Sequence, residues 1–84
     1  MTAIFFTAPY CGACNAMRSA VIDSMRHDGF EIDEVDCMAD PFTAELYKII
    51  KIPTVIVLDD GEEASRRVGF VPREVMELDM NVRA

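Results

Sequence analysis

Short apolar runs alternate along this chain with amphipathic stretches, and the period of each separates strand from helix. Ala3-Ile4-Phe5-Phe6-Thr7 is apolar and rich in β-favouring side chains, which predicts a buried strand ended by Ala8-Pro9-Tyr10. From Cys11 to Met25, residues Cys14, Met17, Val21 and Met25 recur at helical spacing, so the stretch predicts a helix with one apolar face. Asp28-Gly29 closes it as a glycine stop. Phe30 to Cys37 sets Ile32 and Val35 among the carboxylates Glu31, Asp33, Glu34 and Asp36, the pattern of a strand with a wet side or edge. Asp40-Pro41 reads as an N-cap with proline at the first helical position, followed by the apolar stripe Phe42, Leu46 and Ile49. Val55-Ile56-Val57-Leu58 is continuously apolar, as in a strand covered on both faces. Asp59-Asp60-Gly61-Glu62 predicts a hairpin turn, with the return strand running from Glu63 to Val68. Gly69-Phe70-Val71-Pro72 breaks that strand, and Val75, Leu78 and Val82 predict a last amphipathic helix.

The predicted order is β-α-β-α-β-β-α. A right-handed crossover makes the first two strands parallel, and the hairpin makes the last two antiparallel. The fold class is therefore α/β, a four-stranded mixed sheet covered by helices on both faces. At 84 residues the chain is expected to be one domain, residues 1–84, and its 51% apolar content fits a packed globule better than a disordered chain. A net charge of −7 argues against a phosphate-backbone partner, so no nucleic-acid binding is expected. No charged segment followed by a long apolar run opens the chain, and no run reaches membrane-spanning length; a cytoplasmic monomer is expected. Three cysteines suit a reducing compartment poorly as a disulfide scaffold, since one would be left over, and a catalytic or metal-binding pair fits better.

Cys11-Gly12-Ala13-Cys14 sits where the first strand gives way to the first helix. Unpaired N–H groups and the positive end of the helix dipole there favour a thiolate at Cys11, the form that attacks disulfides. Cys14 follows one helical turn behind, close enough to bond to Cys11. The competing reading is zinc, because Cys11, Cys14, His27 and Cys37 add up to a ligand set. Structural zinc sites draw ligands from two compact knuckles, however, and His27 and Cys37 stand alone. Cys37 reads as a small buried hydrophobe at the end of the second strand.

Thr7-Ala8-Pro9-Tyr10-Cys11-Gly12-Ala13-Cys14 resembles the active-site segment of thioredoxins, and Ile52-Pro53-Thr54 resembles their cis-proline tripeptide. Asp40-Pro41 with Thr43-Ala44 and Tyr47, and the stretch from Asp60-Gly61-Glu62 to Val68-Gly69, extend the similarity over residues 2 to 82. The extra N-terminal strand and helix of thioredoxins have no counterpart, and in this the chain is similar to glutaredoxins and to the short thioredoxin-like proteins of phages and archaea. The resemblance implies a minimal thioredoxin-like fold and a dithiol–disulfide oxidoreductase. Cys11 would attack and Cys14 resolve, with no cofactor beyond the redox-active disulfide and no metal. It implies a cis Pro53 against the dithiol, and a substrate-binding surface made by Tyr10, Gly12, Ala13, Ile52, Pro53, Thr54, Gly69 and Phe70. Protein disulfides would be the substrates, ribonucleotide reductase among them, and an NADPH-dependent thioredoxin reductase the electron donor.

Two alternatives remain. A glutaredoxin drawing electrons from glutathione would carry valine before the cis-proline and a Gly-Gly-Asp-like segment after the hairpin, and Ile52 and Val68-Gly69-Phe70 depart from both. A non-enzymatic metal- or partner-binding module is the other. Three positions also depart from the thioredoxin pattern: Tyr10 replaces tryptophan, Ala13 replaces proline, and Phe5 replaces the buried aspartate six residues before the first cysteine. The lysine that pairs with that aspartate is matched by Glu34. Glu34 is therefore the candidate carboxylate for taking the Cys14 proton, with a pKa expected to be raised by burial.

Overall fold

The computed structural model describes residues 1–81. Its elements are β1 (Thr2–Thr7), α1 (Gly12–Met17), a π-helical stretch Arg18–Ile22, α2 (Asp23–His27), β2 (Ile32–Asp36), α3 (Pro41–Leu46), β3 (Thr54–Asp59), β4 (Glu62–Val68) and α4 (Arg73–Asn81). The sheet runs β2-β1-β3-β4, with β1 parallel to β2 and the other pairs antiparallel. The mixed four-stranded sheet expected from the alternation of patterns is the one observed.

Strand alternation sends Ala3 and Phe5 of β1, Ile32 of β2 and Val55 and Val57 of β3 into one core. Cys14, Met17, Val21, Ile22 and Met25 meet them from the first helical segment, and Met76 and Met80 from α4. Phe6 faces the other side, where its ring lies 5.6 Å from that of Tyr47, just past α3. Helices thus cover both faces. The π-helical stretch has a local consequence, because its wider turn brings the successive residues Val21 and Ile22 both into the core. A straight 3.6-residue period points only Val21 inward.

The termini of the elements follow their local chemistry. Asp40 caps α3, its carboxylate accepting from the Thr43 amide at 3.1 Å, and Pro41 follows at the first position. The first helical segment ends at Asp28-Gly29: Gly29 takes φ 97°, and the Phe30 amide closes the turn onto the Met25 carbonyl at 3.0 Å. Asp60 and Gly61 form the hairpin turn, both at positive φ.

Two apolar stripes differ from expectation. On α3, Phe42 and Leu46 are 77% and 65% exposed, and no side chain of this helix is buried. The two-turn helix instead turns half-buried Thr43 and Ala44, with Tyr47 beyond its end, toward the sheet, and nothing among the described residues overlies its outer stripe. On α4 the core residues are Met76 and Met80, four apart, while Val75 is half-buried and Leu78 is exposed. Val82, the last position of the expected stripe, lies outside the described residues.

Candidate active site

Register places the site. Phe6 of β1 stands opposite Thr54 of β3, and Thr54 opposite Val68 of β4. The loop after β1, the segment before β3 and the loop after β4 therefore emerge at one end of the sheet. The first carries Tyr10 and Cys11, the second Ile52 and Pro53, and the third Gly69 and Phe70. The last two are tied together by the Gly69 amide, which donates to the Pro53 carbonyl at 2.8 Å.

Cys11 and Cys14 are joined in a disulfide with their Cα atoms 5.2 Å apart. The two sulfurs differ in surroundings. Cys11 is half-buried and occupies the N-cap of α1, where its Sγ accepts from the Cys14 amide at 3.1 Å. Sulfur thus takes the place that a serine or aspartate oxygen fills at an ordinary cap, and an N–H aimed at it favours negative charge there. Cys14 has no exposed surface. Gly12 and Ala13 between them are open to solvent, and Tyr10, at φ 61°, stands fully exposed beside Cys11.

The Ile52–Pro53 peptide is cis. Pro53 and Thr54 are buried, and the Thr54 hydroxyl donates to the Lys51 carbonyl at 2.5 Å, fixing the bend that leads into β3. Among the described residues, neither the amide nor the carbonyl of half-buried Ile52 has a backbone partner. That edge of main chain is free to pair with an extended segment. Gly69 takes φ 94°, and Phe70 is half exposed. Together with Tyr10 they give the dithiol an apolar, open surround.

Glu34 corrects the expectation made of it. Its carboxylate accepts from Arg18 Nε at 2.9 Å and Arg18 Nη2 at 2.5 Å, and from the Thr7 hydroxyl at 3.1 Å. The Arg18 hydrogen bonds hold its pKa below the ordinary 4.5, outweighing burial, which pulls the other way. A carboxylate so committed is not poised to take a proton from Cys14. Sequence reading missed Arg18, although it lies four residues after Cys14 on the same helix and its guanidinium also donates to Asn15 at 2.8 Å.

The pair bears on stability instead. Because the folded Glu34 titrates below its unfolded value, its contribution is fully present above about pH 4.5 and is lost as pH falls through the lower folded value. Glu34→Gln should cost about 1 kcal/mol at neutral pH. Urea midpoints of parent and variant should converge as the pH is lowered toward 3; a constant gap across that range would refute the assignment.

His27 is the exposed last residue of α2, and no group of three or more His, Cys, Asp or Glu among the described residues is arranged to hold a metal ion. Cys37 follows β2 in a turn, its amide donating to the Thr7 carbonyl at 2.8 Å. It is half-buried and not fully buried as expected, because β2 is the sheet edge; partial burial, then Asp36 and Asp40, push its pKa up. A hollow of about 700 Å³ between β4 and α4 is lined by Ala64, Ser65, Leu78 and acidic neighbours, and neither Cys11 nor Cys14 lines it. Reaction at a sulfur on an open rim needs no cavity.

A helix-capping cysteine, a buried partner one turn on and a cis-proline segment at the same sheet end define a disulfide-exchanging oxidoreductase on a thioredoxin-like fold. The family profile for thioredoxin matches residues 1–82. A thioredoxin of Bacillus subtilis is 35% identical over 74 residues, covering 86% of this chain and 71% of that protein. A thioredoxin of Staphylococcus epidermidis is 39% identical over 72 residues, covering 82% of this chain and 68% of that one. Among solved structures, Fasciola hepatica thioredoxin superposes with a TM-score of 0.87 at 20% identity, over 99% of this chain and 80% of that one, a likeness of fold. The chain belongs to the thioredoxin family and is a dithiol–disulfide oxidoreductase. Thioredoxins need no cofactor beyond the redox-active disulfide. These matches do not favour the glutaredoxin alternative. No helix of the described residues is long and apolar enough to cross a membrane.

Proposed function

We propose that the chain, acting as one domain over residues 1–84, reduces protein disulfides with Cys11 as attacking thiolate and Cys14 as resolving thiol. The observation that carries this reading is the contrast between the two sulfurs: Cys11 Sγ, half-buried, accepts an N–H at the helix start, and Cys14 is wholly enclosed. The Cys11 thiolate attacks one sulfur of the substrate disulfide, forming a mixed disulfide and releasing the first substrate thiolate. Cys14 then attacks Cys11; the Cys11–Cys14 disulfide forms and the second substrate sulfur leaves as a thiol, taking up the equivalent of the proton that Cys14 gives up. Two electrons pass from the dithiol to the substrate.

Tyr10, Gly12, Ala13, Gly69 and Phe70 form the rim against which the substrate lies. The bend at Pro53 and Thr54 presents the Ile52 main chain to an extended substrate segment. An NADPH-dependent thioredoxin reductase restores the dithiol, and the setting is the reducing cytoplasm. Family membership and the absence of a valine before the cis-proline support that donor over glutathione. The test is to oxidise the protein and follow its reduction by thioredoxin reductase with NADPH, and separately by glutathione, with insulin as disulfide substrate. Turnover with the reductase and slow reduction by glutathione is the expected result. Fast reduction by glutathione alone would overturn the donor, and failure to turn over insulin with either would overturn the function.

A further inference from the structure

Beside the cis-proline segment lies a groove of about 380 Å³ lined by Lys48, Ile50, Lys51, Thr54, Arg66 and Val68. Its floor is continuous with the redox site, since Thr54 follows Pro53 and Val68 precedes Gly69. Its charge is opposite in sign to that of the chain as a whole, whose net charge is −7. Lys48 and Lys51 are the only lysines in the sequence. Among the described residues, Arg18, Arg66, Arg67 and Arg73 are held in ion pairs with carboxylates, and Arg26 donates to the Ile32 carbonyl. Among the described residues, the side chains of Lys48 and Lys51 make neither kind of contact. Arg66, the third cation of the groove, is fixed by Glu63 and by the Tyr47 carbonyl at 2.7 Å, so it lines the wall in a set position. The same lining holds two uncovered apolar side chains, Ile50 at 90% and Val68 at 59% exposure.

Bare lysines around exposed aliphatic groups, next to free main chain at Ile52, describe a surface built for one kind of chain. We propose that this groove selects disulfide clients whose extended segment, just beyond the reacting cysteine, carries carboxylates flanking an apolar side chain. The proposal deepens the disulfide-reductase reading and rests on it. The apolar side chain covers Ile50 and Val68, and the carboxylates meet Lys48 and Lys51. The overall negative charge opposes such a client at long range, but a Debye length of about 10 Å near 0.1 M salt leaves the nearby lysines dominant. Local and global charge therefore make opposite predictions. A chain steered only by its net charge prefers a basic peptide.

The experiment uses two synthetic peptides with the same intramolecular disulfide and the same leucine beside it, one flanked by Asp and Glu, the other by Lys. Reduction rates at about 0.1 M salt should favour the acidic peptide by about fivefold. Lys48→Gln with Lys51→Gln should bring the ratio to one or reverse it. A preference for the basic peptide in the parent, or an unchanged ratio in the double variant, would overturn the proposal. A thiol-free acidic peptide, titrated against the oxidised protein and followed by amide NMR shifts, separates the groove from the chemistry. Shifts confined to residues 48–54 and 66–69 that vanish in the double variant support the groove even if disulfide reduction fails. Absent shifts, equal shifts with oligothymidylate of matched charge, or lysine-dependent self-association of the protein would each overturn it.

Discussion

Cys11→Ser will lose disulfide reduction by about three orders of magnitude or more, while Cys14→Ser will still capture a protein substrate as a lasting mixed disulfide. The asymmetry is geometric. Cys11 caps the helix and meets solvent, so its sulfur can reach a substrate, and the Cys14 amide stabilises the charge it must carry. Cys14 is fully enclosed, and its one accessible target is the sulfur of Cys11. Removing the first leaves no nucleophile at the surface; removing the second leaves the nucleophile and deletes the release step. Non-reducing electrophoresis after incubation with oxidised insulin reads both outcomes. Capture by the Cys11→Ser protein and none by Cys14→Ser would reverse the roles. In the reduced parent, iodoacetamide should reach Cys11 before Cys37, whose thiol is pushed toward the protonated form by partial burial and by Asp36 and Asp40.

The second large effect concerns Phe5, at the position where the thioredoxin pattern has a buried aspartate. Phe5 is fully buried, pairs with Glu34 across β2 and with Val55 across β3, and lies under the Arg18 guanidinium at 5.9 Å. Phe5→Asp restores the residue type found in thioredoxins but not its surroundings. The new carboxylate would face Glu34, whose arginine is already engaged, and the ring's volume would be lost. The cost should be about 4 kcal/mol or more, against a total stability of roughly 4–13 kcal/mol for a chain of 84 residues. Phe5→Leu, which removes shape without adding charge, should cost about 1–1.5 kcal/mol. Urea denaturation at neutral pH compares them. If the two variants unfold within about 1 kcal/mol of each other, the site tolerates charge and the apolar account of it is wrong.

Strand and helix order, the helix cap at Asp40, the glycine stop at Gly29 and the hairpin at Asp60-Gly61 were legible because each is written in adjacent residues. So was the pairing of Cys11 with Cys14, whose meaning comes from a strand-to-helix junction visible in the pattern. The outward turn of Phe42 and Leu46 was not legible, since the rotation of so short a helix is set by the sheet it packs on. Met76 and Met80 were not legible because the last helix carries two apolar stripes at helical spacing, Val75 with Leu78 and Met76 with Met80, and only its packing against the sheet decides between them. Arg18 was missed for a different reason. Its partner Glu34 is on another element, and register alone put the two together: the parallel pairing aims Glu34 at the same side as Phe5, beneath the first helical turns. The basic groove escaped notice likewise, as Lys48 and Lys51 join Arg66 only once β4 lies beside the segment leading into β3.

A sheet of four strands that does not close on itself keeps two rows of unsatisfied main-chain groups at its margins, and each is an invitation to fibrous growth. Here both margins are armed against it. β2 displays the exposed Asp33 along one border with half-buried Asp36 at its end, so that two copies approaching there bring like charges face to face. β4 carries Glu62, Glu63, Arg66 and Arg67 along the other, and a bulge between Val57 and Leu58 interrupts its register with β3. Among the described residues, the unpaired main chain beside the dithiol is confined to the short segment around Ile52, away from the length of either margin.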